Sequence, residues 1–167
     1  RHALHEGKSS QLLQSLTISK SFLKAIGNKI DDSRMGASEL ILRLVSFMIF
    51  KRENYSYGMD NWLSDAMRVI NILPHPTELQ LKKIFQPSSI YELKINSIEE
   101  IEQKFEIAMH RGYELFEGHA FRKSLPGESR KSPINKSLFE IWGNVLSNIS
   151  EEEFILLKSK RSYLLEQ

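Results

Sequence analysis

The chain reads as an all-α protein, an irregular multi-helix bundle. Three observations predict this. Apolar residues recur at helical spacing almost from end to end. No run alternates apolar and polar residues between turns as a strand does. Ser or Thr followed three residues later by Glu or Gln, a helix-start signature, occurs at Thr77/Gln80, Ser97/Glu100 and Ser150/Glu153.

Taken in order, Arg1–Glu6 reads as the end of a helix closed by Gly7, and Leu12, Leu13 and Leu16 mark a short helix over Ser9–Leu16. Phe22, Leu23 and Ile26 mark another over Ser19–Ile26, with Gly27 as its stop. Gly36–Lys51 is the strongest core element, because its apolar residues cover most of the circumference and such a helix is surrounded by others. Asp60 is positioned to cap the next helix, which carries Trp62, Leu63, Ala66, Val69, Ile70 and Leu73 and is ended by Pro74 and Pro76. Thr77 opens a helix to Phe85, and Ser97 opens a long one through Leu115. Ser132–Pro133 suits the cap and first position of a helix bearing Leu138, Phe139, Trp142, Val145 and Leu146. Ser150 opens a final helix through Leu164.

With 167 residues and 41% hydrophobic content, one domain spanning 1–167 is expected. A chain of this size buries roughly 70% of its unfolded surface without a metal or disulfide to hold it. The lack of cysteine excludes disulfides, thiolate zinc sites and a cysteine nucleophile; it fits a reducing compartment, and a cytoplasmic location is expected. The longest apolar run, Leu40–Phe50, is interrupted by Arg43 and is too short to span a bilayer, so no membrane partner is expected. The chain opens on Arg1 rather than Met, and with the shortened first helix this reads as a fragment of a larger protein.

Charge is unevenly placed. The whole chain carries +2, whereas 122–136 alone holds Arg122, Lys123, Arg130, Lys131 and Lys136 against the single acid Glu128. Lys and Arg beside a helix start hold phosphates by charge and hydrogen bonds, positioning a nucleic acid without reading its sequence. These five residues are therefore the candidate nucleic-acid contacts. The competing reading is a solvated loop whose cations pair with Glu117 or Glu140, with Arg122 holding the loop to the bundle.

Other chemistry-bearing residues read more simply. His2 and His5 share a helix face but lack further ligands, so no metal site is assigned. Tyr55, Tyr57 and Trp62 have the character of a hydrophobic lid rather than a base-stacking surface. No catalytic residue and no cofactor is assigned, and no glycine-rich phosphate loop is present.

Three segments in order resemble one family. These are RHALHEG with SSQLLQSL, then RMGASELILRLVSFMIF (Arg34–Phe50) with YGMDNWLSDAM (Tyr57–Met67), then FEGHAFR (Phe116–Arg122) with INKSLFE (Ile134–Glu140). Together they are similar to the helical region of GmrSD-type restriction and phage-defence proteins, whose N-terminal domain is ParB/sulfiredoxin-like. The family's nucleotide-handling signature, Asp-Gly-Gln-Gln-Arg, is absent here, as is the His-Asn-His nuclease motif found further on in many members. The resemblance thus implies a non-catalytic helical module that supports the missing N-terminal domain, and the basic loop adds DNA as the candidate partner. It places no family active site on these residues.

Two alternatives remain open. One is a protein–protein interaction module without nucleic-acid binding, including self-association into a homo-oligomer. The other is a helical ribonuclease: Arg68 and His75, with six residues between them, match the basic pair of HEPN ribonucleases, although Pro74 beside the histidine disturbs the helix that pair requires.

Overall fold

The computed structural model describes residues 7–27, 34–55, 58–85 and 92–166. Among them nine helices form an all-α bundle: α1 Lys8–Thr17, α2 Lys20–Ile26, α3 Arg34–Ile49, α4 Met59–Asn71, α5 Glu78–Ile84, α6 Ile98–Phe116, α7 Lys136–Asn148, α8 Glu151–Ser159 and α9 Arg161–Glu166. The only β pairing among the described residues is two isolated antiparallel bridges, Phe50 with Leu93 and Arg122 with Ile134. No helix is long and apolar enough to cross a membrane, again among the described residues. Arg1–Glu6, Tyr57 and the two histidines near the start lie outside them.

α3 is the central element because apolar residues cover most of its circumference. Ile41, Leu44, Val45 and Ile49 have no exposed surface, and the helix packs against α1, α4, α6 and α7. Trp62 on α4 is fully buried in the same core, and its indole N–H donates to the Ser46 hydroxyl at 3.0 Å, which satisfies the ring's one polar atom. Phe47, Phe50 and Tyr55 pack on that indole with centroids 5.0–5.2 Å from it, or in Tyr55's case edge-on at 5.1 Å. These rings form a lid over the α3–α4 core rather than a free stacking surface.

Local signals set most boundaries. Gly27 adopts φ 79°, closing α2 in the left-handed conformation that glycine takes without penalty. Thr77 and Ser150 each form both halves of a capping box. Three boundaries differ from expectation. Gly58, not Asp60, is the N-cap of α4, and Asp60 sits in the first turn, where its charge favours the helix dipole. Asn135, not Ser132, caps α7, its side chain accepting from Leu138 N at 2.9 Å. The final helix is two, broken at Lys160, where the Ser159 hydroxyl donates back to the Leu156 carbonyl at 2.6 Å and competes for the acceptor that continues a helix.

Two buried charges tie helices together. The Glu140 carboxylate on α7, 9% exposed, accepts from Arg43 of α3 at 3.2 Å and Arg52 at 2.9 Å, and Arg52 also lies 4.3 Å over the Phe47 ring. Arg111 on α6 donates to the carbonyls of Leu146 (2.7 Å) and Ile149 (2.8 Å) and to Glu151 (3.1 Å). It thereby joins the C-terminal end of α7 to the start of α8, a cation placed where the helix dipole is negative.

Candidate nucleic-acid interface

The basic segment leaves the bundle after α6. A 3-10 turn over Glu117–His119 ends the helix, and the chain turns outward at Phe121. Phe121 takes φ 61°, a left-handed conformation costing a non-glycine residue about 1–2 kcal/mol. Burial of its ring, worth about 2–3 kcal/mol, offsets that cost. The ring meets Phe139 edge-on at 4.8 Å, and room for it exists because residue 112 is glycine: a Cβ there would come within 2.7 Å of the Phe121 ring.

From this anchor the loop closes on itself. Asn135 N donates to the Phe121 carbonyl at 2.9 Å beside the Arg122–Ile134 bridge. Ser124 N donates to the Ser132 hydroxyl at 2.8 Å, and Ser132 N returns a bond to the Ser124 hydroxyl at 2.9 Å. The ring of His119, 7% exposed, hydrogen-bonds the same Ser124 hydroxyl at 2.8 Å. These bonds close a neck at the base of the loop, and His119 is part of it. Ser132 has the sequence character of a helix cap, and nothing in the sequence signals its bond to a serine eight residues away.

The five candidate contacts fall into two groups. Arg122 is inside the neck: its guanidinium donates to the Ser132 carbonyl at 2.6 Å and to the Ile26 carbonyl, at the end of α2, at 3.0 Å. It joins loop to bundle, and those two terminal nitrogens are already engaged. Lys123, Arg130, Lys131 and Lys136 are exposed. Lys123, Arg130 and Lys131 lie on the loop, and Lys136 opens α7.

The neighbouring acids are occupied elsewhere. Glu117 pairs with Arg161 of α9, Glu140 with Arg43 and Arg52, and the Glu128 carboxylate accepts from the Leu125 N–H within its own turn. Among the described residues none of the four exposed cations has an ion-pair partner. Two lysines elsewhere differ in their surroundings. The hydrogen bond and charge of Glu92 hold the Lys51 pKa above its ordinary value, whereas partial desolvation pulls that of Lys94 below it.

The remaining candidates do not join this surface. Arg68 is on α4 and pairs with Asp65 at 3.4 Å. His75 lies past the end of that helix, after a cis Leu73–Pro74 peptide, with its backbone N–H donating to the Asn96 carbonyl at 3.4 Å. His110 is exposed on α6 beside Glu106. No three His, Asp or Glu side chains among the described residues gather as a metal site would. Comparison with protein-family models, with curated proteins and with solved structures found nothing that matches this chain.

Proposed function

We propose that this chain is the non-catalytic helical module of a GmrSD-like restriction or phage-defence protein. In this reading it supports a ParB/sulfiredoxin-like N-terminal domain that handles the nucleotide, and it contacts DNA through the exposed cations of the 122–136 loop. The supporting observation is the pairing pattern: Glu117, Glu128 and Glu140 all have other partners, which leaves Lys123, Arg130, Lys131 and Lys136 without one among the described residues. Uncompensated cations on a hydrogen-bonded loop suit a phosphate backbone, because the geometry is organised before contact. Arg122 serves this reading as the residue that holds the loop in place.

The test is DNA binding as a function of salt. Charge reversal at Lys123, Arg130 and Lys131 is expected to weaken binding and to flatten the dependence of log K on log salt, by about 0.9 for each phosphate that is no longer neutralised. Unchanged binding and an unchanged slope would remove the loop from the interface.

A second reading, a protein–protein module, is favoured by the apolar side chains that the bundle leaves in solvent. Ile141 and Val145, one turn apart on α7, are 51% and 42% exposed, and Ile155 and Leu156 on α8 are 59% and 56% exposed. It predicts self-association or binding to the N-terminal domain supplied in trans. A monomer by light scattering that does not bind that domain would rule against it.

A further inference from the structure

The basic loop does not end at its own residues. Between it and α2 lies a cavity of about 420 Å³ lined by Lys20, Lys24, Tyr113, Gly118 and Lys131, with Leu23 and Gly27 beside them. Lys20 and Lys24 are four apart on α2, so they share a face. Lys131 comes from the far side of the loop. Among the described residues no acid lines the cavity, and none of the three lysines has an ion-pair partner.

Three details shape this arrangement. Residue 118 is glycine, and a Cβ there would come 2.7 Å from the Lys131 ammonium and 2.9 Å from its Cε, so the missing Cβ gives the side chain room to lie against the backbone here. Arg122 bonds Ile26 at the end of α2 and Ser132 next to Lys131, so one guanidinium fixes both walls. Lys24 lies 4.8 Å over the Tyr113 ring, a contact that orients the ammonium while leaving its charge uncompensated.

Like charges at this spacing on a helix are mildly destabilising, and bringing a third to face them adds to the cost. An anion in the cavity would reverse the sign of all these interactions. We propose that the cavity is a phosphate-binding site in which Lys20, Lys24 and Lys131 together hold a group carrying two or more negative charges. Tyr113 lines the cavity beside them. The phosphate belongs either to a free oligophosphate or to a nucleic-acid backbone; only the second source rests on the DNA-contact reading above.

The experiment is titration of the full chain with inorganic pyrophosphate and, separately, with a short DNA duplex. The variants are Lys20→Ala/Lys24→Ala, Lys131→Ala, the charge-preserving Lys20→Arg/Lys24→Arg, and Lys82→Ala/Lys83→Ala on α5, which removes the same charge elsewhere. Each loss of a cavity lysine set is expected to weaken binding about tenfold or more, as one charge-assisted hydrogen bond does. The arginine pair should retain most of the affinity, and the α5 pair should leave it unchanged.

Pyrophosphate binding with this pattern supports the site and a free-phosphate source. The pattern seen with DNA alone supports the site and a backbone source. The proposal is overturned if neither ligand shows the pattern, or if the α5 variant weakens binding as much as the cavity variants. Lys123→Glu/Arg130→Glu separates the two claims. If it leaves DNA binding intact while the cavity variants lose pyrophosphate, the loop reading alone fails. If it weakens DNA binding while the cavity variants change nothing, the cavity alone fails.

Discussion

Gly143 offers a sharp test of how α3 and α7 are packed. A Cβ at this position would come 2.6 Å from both Cδ1 and Cδ2 of Leu44 and 3.2 Å from its Cγ. Carbon atoms rest at about 3.5–4.0 Å, so roughly 1 Å must be found on each side. Leu44 has no exposed surface, and with both methyl groups blocked it has no open direction to rotate into. Overpacking of this kind costs about 1–3 kcal/mol, and the double contact places Gly143→Ala towards the upper end. Alanine returns about 1 kcal/mol of helix propensity. The expected net loss is about 1–2 kcal/mol, or roughly 3–6 °C in Tm for a chain this long.

The second half of the test uses the Leu44→Ala background. That truncation alone should cost about 2–5 kcal/mol and leave space where the new methyl belongs. Gly143→Ala should then be stabilising, since the propensity gain remains and the methyl is buried without a clash, worth about 0.8 kcal/mol. The sign of one substitution therefore reverses with its neighbour, a coupling of about 3–4 kcal/mol readable from a urea-unfolding double-mutant cycle. If Gly143→Ala has the same sign in both backgrounds, the α3–α7 contact is not as described.

Three further outcomes follow from the structure. Arg111→Met should cost about 2–3 kcal/mol in urea unfolding, because the Leu146 and Ile149 carbonyls lose a charged donor, and Arg111→Lys should recover only part of it since one ammonium does not reproduce the fork. Arg122→Met should lower the protection of the Ser124 and Ser132 amides from hydrogen exchange while leaving the α3 amides protected; equal loss in both places would mean that Arg122 supports the whole bundle. The backbone and side-chain bonds of Ser150 hold the Glu153 carboxyl below its ordinary pKa. A depressed carboxylate stabilises above its unfolded-state pKa and loses that contribution as pH falls through the folded value. The stability difference between wild type and Glu153→Gln should accordingly shrink between pH 7 and about pH 3, and a constant difference would assign the cap no charge dependence.

Helices were legible where their cause is local. Apolar spacing in α3 and reciprocal caps at Thr77 and Ser150 act within a few residues, so the sequence displays them directly. What stayed hidden has its cause at a distance. Ser132–Pro133 carries the chemistry of a helix start, yet the Ser132 hydroxyl is committed to Ser124, and the helix begins only after Asn135. Arg111 sits in an amphipathic stretch with nothing to mark it, because its carbonyl partners are 35 and 38 positions away. The same holds for the site. The charge excess over 122–136 was visible, but Arg122's inward role depends on Ile26, 96 positions earlier. Lys20 and Lys24 look like any solvent-facing pair until the loop folds back beside them; their i, i+4 spacing was the one signal available.

The neck formed by Phe121, Ser124, Ser132 and Asn135 lies behind the basic tip, not within it. At the tip Gly127, with φ 100°, has no atom within 4 Å of the place a Cβ would occupy. Leu125 and Lys131 still meet the bundle, beside Phe116 and Trp142 and beside Gly118, but the residues at Gly127 between them stand clear of it. A change of length or charge at Gly127 should therefore leave the stability of the bundle where it was.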